Sequence, residues 1–278
     1  MPSMDEVTRT QAILLELERN GRVLVIDLAR KFKVSEVTIR KDLDALQRHS
    51  MLRRVRGGAV PIGDTDEGSF EMRIRHSARA KRAIAARAQA LVRPGDVIAI
   101  DSSTTCFYLA SELLDVSNLV VITNGLRTAE LFMERSTAMV VMPGGVLRRS
   151  TGSMVSPIGD VLAGRGRIDK GFFGLMGLST EFGLLDLVAE EAQTKRYLAG
   201  ACNELYGLFD SSKIGRFAMH SFIATDQVTA LVTDEGATAD FAQEWQAHGV
   251  RVHRVTVPAD SDLPAAGHPQ TTIRRISG

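Results

Sequence analysis

Two sets of residues in this 278-residue chain have types and spacings that can do chemistry. One lies in the C-terminal two thirds. Asp101-Ser102-Ser103-Thr104-Thr105 places four hydroxyls behind a carboxylate, between an apolar run and a helical pattern. At a helix N-terminus the free amides and the helix dipole favour an anion, and hydroxyls add further donors. Thr123-Asn124-Gly125 and then Gly144-Gly145 close the next two apolar runs and bring backbone to the same rim. Asp210-Ser211-Ser212-Lys213 closes another and can deliver an ammonium to a phosphate, while Glu191 and Lys195, four apart on one helix face, can meet sugar hydroxyls. Taken singly, each of these is explained by an N-cap, a turn or a surface ion pair. Four such loops at successive strand ends point instead to a site for a small phosphorylated polyol.

The other set lies near the N-terminus. Ser35 is suited to cap a helix in which Ile39, Leu43 and Leu46 form one apolar stripe. The opposite face carries Thr38, Arg40, Lys41 and Gln47, which mix phosphate-seeking cations with side chains able to touch base edges. Such a helix alone would most simply be a solvated amphipathic one. Upstream, however, Val23 to Phe32 reads as a second short helix with Val25, Leu28, Ala29 and Phe32 inward, and only Lys33-Val34 intervenes. That is a helix-turn-helix over about residues 22–41. A first helix is expected over 5–19, closed by Asn20-Gly21. Met51 to Arg56 and Ala59 to Pro61 read as two short strands around Gly57-Gly58. Residues 5–60 thus predict a winged helix-turn-helix, with Arg53, Arg54 and Arg56 on the wing and, like Ser35, available to DNA. Arginines on an edge strand also discourage aggregation, but beside a cationic helix phosphate contact is the better reading.

The elements that must position the first set alternate. Val97–Ile100, Leu119–Ile122, Met139–Met142, Phe172-Phe173, Leu205–Phe209, Ala230–Val232 and Val250–Val252 are short apolar runs of buried-strand type. Helical patterns run through Leu109 and Leu113, through Leu131, and over 190–203 and 239–248. Repeated strand–loop–helix units predict an α/β domain over 81–257 with a mainly parallel sheet, and any ligand at the carboxyl ends of its strands. Residues 61–80 are expected to be a linker and 258–278, rich in Pro, Ala, Ser and Asp, a flexible tail.

Charge divides along the same line. Residues 1–82 hold 17 Lys and Arg against 12 Asp and Glu, and the remainder 17 against 21, giving the net charge of +1. A basic front on a mildly acidic body suits a domain that meets a polyanion. Cys106 and Cys202 are far apart and show no metal-ligand spacing, and the six histidines are scattered. GxxxxGK[ST], GxSxG and HExxH are absent, and Gly164-Arg165-Gly166 does not complete a dinucleotide fingerprint. No signal peptide and no membrane-spanning run is recognised, so a cytoplasmic protein without metal or cofactor is expected.

Leu28-Ala29, Phe32, Val34-Ser35, Thr38-Ile39-Arg40-Lys41-Asp42-Leu43, Leu46, Leu52, Arg54 and Gly57-Gly58-Ala59 resemble the N-terminal domain of the DeoR family of bacterial sugar-metabolism regulators. Ser50 and Arg56 depart from it, standing where the family usually has glycine and often has histidine. Asp101-Ser-x-Thr-Thr, Thr123-Asn124, Gly144-Gly145, Gly174-x-x-Gly177, Glu191, Lys195 and Asp210-x-Ser-Lys213 are similar to that family's effector domain. Phe70, Arg73 and Lys81 also match positions the family fills alike. The resemblance implies a fold related to ribose-5-phosphate isomerase, a phosphate held at 101–105 with help from Lys213, and effector contacts from Gly174 and Gly177. The expected function is sequence-specific binding of double-stranded operator DNA by a homodimer or homotetramer. Such a protein would be a repressor of sugar-metabolism genes modulated by a phosphorylated sugar. The alternative is an isomerase-type enzyme using Asp101, Glu191 and Lys195 as an acid–base set.

Overall fold

Three apolar stripes close the core of the N-terminal domain. Helix α1 (Glu6–Asn20) contributes Ile13, Leu14 and Leu17, α2 (Val25–Phe32) contributes Val25, Leu28 and Ala29, and α3 (Glu36–Arg48) contributes Ile39, Leu43 and Leu46. Between α1 and α2, Val23–Leu24 form strand β1 rather than the expected helical turn. They pair antiparallel with β3 (Gly58–Val60), which also pairs with β2 (Arg53–Val55), in the order β1-β3-β2. Gly58 makes this possible, since a Cβ there would lie 1.9 Å from the Val23 carbonyl oxygen. Lys33 takes a left-handed conformation (φ 54°) at the end of α2, which turns the chain sharply into α3. Arg9 of α1 and Asp42 of α3 form a bidentate ion pair at 2.6 and 3.0 Å inside this domain.

The computed structural model describes residues 6–48, 52–60, 70–155, 167–216 and 218–258. Ser50, residues 61–69 of the expected linker, Gly164-Arg165-Gly166 and residues 259–278 of the expected tail lie outside these. Of the rest of the expected linker, α4 (Phe70–Arg75) packs on the second domain. Phe70 is buried with its ring edge-on to Phe107 at 5.2 Å between centroids, and the Tyr108 hydroxyl donates to the Ile74 carbonyl at 3.1 Å. Helix α5 (Ala78–Gln89) follows.

The second domain then alternates: β4 (Val97–Ile100), α6 (Thr104–Glu112), β5 (Val120–Thr123), α7 (Leu126–Arg135), β6 (Met139–Val141). A hairpin, β7 (Val146–Arg148) and β8 (Ser153–Val155), interrupts before β9 (Ile168–Gly174). Next come β10 (Gly177–Ser179), β11 (Gly183–Asp186), α8 (Ala189–Gly200), β12 (Cys202–Leu208), β13 (His220–Ile223), β14 (Ala230–Asp234), α9 (Ala239–Ala247) and β15 (Arg251–Val255). Seven strands form one parallel sheet in the order β15-β14-β12-β9-β4-β5-β6. Alternate residues bury on opposite faces: Ile98, Ile100 and Phe172 towards α5 and α6, Ala99 and Phe173 towards α8 and α9. The hairpin and the antiparallel sheet β10-β11-β13 were not expected, because strands of three or four residues interrupted by glycine carry too little alternation to read.

Chain order reverses between β4 and β9. From β4 the chain moves outward through β5 and β6, then returns to β9 and builds the other half. The loops leaving β4 and β9 therefore diverge and open a crevice at their carboxyl ends. Leu187 and Met219, beside β11 and β13, pack against the apolar core of the N-terminal domain.

Removing one partner of a buried ion pair strands the other's charge, a loss of about 3–5 kcal/mol. Asp42→Ala is therefore expected to shift the denaturant midpoint of the N-terminal domain by that order, while the second domain, followed through Trp245, keeps its own midpoint.

Candidate functional site

The crevice between β4 and β9 is built on Asp101, whose side chain is fully buried. Its Oδ1 accepts from the Ser103 amide at 3.0 Å and its Oδ2 from the Gly174 amide at 2.9 Å, which ties the two diverging loops together. Gly174 must be glycine here, because a Cβ would lie 2.3 Å from Ser103 Oγ. Ser103 caps α6, accepting from the Cys106 amide at 3.2 Å.

Lys195 of α8 enters from the opposite side. Its Nζ lies 3.0 Å from Asp101 Oδ2, donates to Asp186 Oδ2 at 2.7 Å and to the Gly174 carbonyl at 2.9 Å. Burial alone would push this ammonium's pKa down, but Asp101 and Asp186 outweigh it and hold Lys195 above the ordinary lysine range. All three of its protons have acceptors, so Lys195 holds the loops rather than presenting itself to a sugar. Glu191, one turn earlier, accepts from Arg148 at 2.8 Å and from the Ser153 hydroxyl, both on the β7–β8 hairpin. Burial and the charge of Asp186 raise the Glu191 carboxyl, against Lys195, Ser153 and Arg148. Its second oxygen, Oε2, is buried without a hydrogen-bond partner among the described residues.

These groups surround a cavity of about 30 Å³. Ser102, Ser103 and Gly174 to Met176 come from the two loops, Asp186, Glu191 and Lys195 from behind, Thr151 from the hairpin and Arg73 from α4. Lys213, in the turn after β12, reaches the rim at Met176, its Nζ lying 3.8 Å from the sulfur. Burial, and to a lesser degree Arg216 and Arg73, lower its pKa against the pull of Asp210.

The other expected site residues serve neighbouring structure. Thr104 accepts from Lys81 Nζ at 3.0 Å, and Thr105 is buried beside it. Thr123 Oγ1 accepts from the Gly125 amide at 3.0 Å, and Asn124 donates to the Met154 carbonyl at 3.2 Å, fastening the hairpin. Gly144 and Gly145 (φ 75° and 120°) start that hairpin, and Gly177 allows the Arg216 carbonyl to approach. None of these seven lines the cavity. Sequence reasoning missed Arg73, Arg148, Thr151, Ser153 and Asp186. Two signals were available: Arg73 stands at a position the resemblance marks, and Asp186 follows a Gly-Leu-Leu run as Asp101 follows Ile-Ala-Ile.

On the N-terminal domain, Ser35 Oγ accepts from the Thr38 amide at 3.0 Å and pairs with its hydroxyl at 2.8 Å. Lys41 and Arg40 are exposed, and Arg40 pairs with Glu36 one turn back. Arg54 turns onto α3 instead of outward, donating to the Arg40 carbonyl at 3.4 Å and lying 3.4 Å from Asp44. Arg53 and Arg56 are exposed on the wing. Val37, overlooked in the sequence, is 59% exposed among these polar groups, as an apolar contact for a thymine methyl would be.

A three-helix reader with a wing, carried on a doubly wound α/β body, is the build of a helix-turn-helix transcription regulator with a sensor domain. Residues 9–65 match the DeoR-like helix-turn-helix domain, and residues 76–235 the DeoR C terminal sensor domain. The chain is 32% identical over 245 residues to the HTH-type transcriptional regulator GolR of Listeria innocua, covering 88% of this chain and 96% of that one. It is also 32% identical over 235 residues to the lactose phosphotransferase system repressor of Streptococcus mutans, covering 83% and 93%. Ribose 5-phosphate isomerase A of Methanocaldococcus jannaschii aligns with a TM-score of 0.37 at 18% identity, over 48% of this chain and 53% of that one. The chain belongs to the DeoR family of transcriptional regulators. Among the described residues no helix is long and apolar enough to cross a membrane.

Replacing Lys195 by methionine leaves Asp101 and Asp186 buried without their cation. The expected loss is about 3–5 kcal/mol of stability in the second domain, read as a lowered midpoint in urea. An unchanged midpoint would mean that the three groups do not hold the loops together.

Proposed function

We propose that this protein is a repressor of sugar-metabolism genes whose operator affinity is set by a phosphorylated sugar bound in the crevice between β4 and β9. The observation that carries this reading is the cavity itself. It lies at the switch point of a parallel sheet, against the hydroxyls that open α6, and Glu191 offers it an acceptor with no partner. Ser102 and Lys213 are suited to the phosphate, and Glu191 Oε2 to a sugar hydroxyl. One relative is named as the repressor of a lactose phosphotransferase system, which agrees with a sugar-linked role.

At about 30 Å³ the cavity is far below the roughly 300–1,000 Å³ usual for small-molecule pockets. We infer that a sugar phosphate is bound by a wider arrangement of these walls than this one. A ligand shifts an equilibrium only by its differential affinity for the two arrangements, and the coupling is reciprocal. The acid–base alternative has less support. Asp101 is committed to two amides and an ammonium, and Lys195 to three acceptors, which leaves Glu191 without a partner for proton transfer.

DNA is proposed to be met by α3 and the wing of a homodimer or homotetramer, through Ser35, Thr38, Arg40, Lys41, Arg53 and Arg56. Lys41→Ala is expected to weaken binding across operator sequences and to flatten the plot of log affinity against log salt by about one ion. Fluorescence anisotropy over a salt series measures both, and an unchanged slope removes Lys41 from the interface. Lys213→Ala is expected to keep operator affinity while its response to the effector sugar phosphate falls at least tenfold. A full response in that variant would exclude Lys213 from the site.

A further inference from the structure

One wall of the cavity comes from outside the sheet and its helices. Arg73, in the last turn of α4, lines it beside Ser102 and Ser103. Its Nε and Nη2 are shielded from solvent and have no hydrogen-bond partner among the described residues. Burying such donors without an acceptor is costly, and native structures rarely leave them so.

The segment that carries Arg73 is nonetheless firmly held. Lys81 Nζ donates to the Arg73 carbonyl at 2.7 Å while also donating to Thr104 Oγ1 at 3.0 Å, so one ammonium joins α4 to the start of α6. Tyr108 holds the next carbonyl, and Phe70 is buried against Phe107. The backbone is anchored and only the guanidinium is left over. Burial chiefly lowers the proton affinity of Lys81 and Lys213, and Arg73 is near enough to both to add to it, with Asp210 opposing at each. Glu191 lines the same cavity, is 4% exposed, and its Oε2 lacks a donor among the described residues. The lining therefore includes donors without acceptors and an acceptor without a donor.

We propose that Arg73 binds the phosphate of the effector, so that the ligand's charge is held by the segment that joins the DNA reader to its sensor. This rests on the reading that the cavity takes a phosphorylated sugar. The planar guanidinium fork matches two phosphate oxygens, and Ser102 and Lys213 complete the cradle. Since the wing's last strand ends at Val60 and α4 begins at Phe70, a ligand that draws Arg73 acts on the chain leading directly to the reader.

The full-length protein is titrated with inorganic phosphate and with pentose 5-phosphates and hexose 6-phosphates, each beside its unphosphorylated sugar. Calorimetry and thermal shift are read on the wild type, Arg73→Met and Arg73→Lys. The wild type is expected to bind a phosphorylated sugar and not its free counterpart. Arg73→Met should bind at least tenfold more weakly yet melt, without ligand, at or above the wild-type temperature, since no hydrogen bond of Nε or Nη2 is lost. Arg73→Lys should fall between, keeping the charge without the fork. Binding by Arg73→Met within twofold of wild type would overturn the role of Arg73 and leave the sugar-phosphate reading standing. A wild type that binds no phosphorylated member of the panel would overturn both. If Arg73→Met fails to fold, Arg73→Lys and Arg73→Gln carry the comparison, with the same twofold limit.

Discussion

The second domain depends on one buried ammonium shared by two carboxylates. Lys195 meets Asp101 at the end of β4, Asp186 at the end of β11 and the carbonyl of Gly174 at the end of β9. These strands belong to two different sheets, and β4 and β9 separate at this point in the topology. A parallel sheet that splits its loops to open a crevice loses packing there. Charge-assisted hydrogen bonds make good the loss, because at low local dielectric they are strong only when every partner is in place. The dry setting that makes this cluster worth having also makes any unpaired member expensive.

Around that cluster the molecule shows a consistent economy of polar groups. The Ser103 hydroxyl is spent on capping α6, Thr104 on Lys81, Thr123 on a turn amide and Asn124 on the hairpin. Some buried polar atoms are nonetheless left without partners among the described residues, and two nitrogens of Arg73 and one oxygen of Glu191 are those that line the small cavity. A pocket whose rigid parts are satisfied and whose unsatisfied parts sit on a short helix and beside a hairpin is poised to be rearranged by what enters it.

Much of this was legible in the residues. The short continuous apolar runs located the strands, and the hydroxyl run after Ile100 located the crevice, since strand ends and helix starts have distinct chemistry. Lys195 and Glu191 were read as facing a sugar, and their actual partners were not recognised, because Asp186 and Arg148 come from short strands with no periodicity to reveal them. Val23 and Leu24 were taken for helix because apolar spacing does not show that Gly58 admits a backbone at van der Waals distance. Long-range closeness of this kind has no local signature. Arg73 matched a family position, but its place in the cavity wall comes only from the packing of α4 on the second domain.

The contact of Leu187 and Met219 with the reader's core bears on how the two domains communicate. Leu187 follows Asp186 directly, and its amide donates to the Asp186 carboxylate at 2.7 Å, so the docking residue is one peptide bond from the ion cluster. Fully burying a leucine or methionine side chain is worth about 1.5–3 kcal/mol, and these two are only partly covered. Adhesion of that size is comparable to what a small molecule can supply by preferring one arrangement over another, typically about 1–3 kcal/mol.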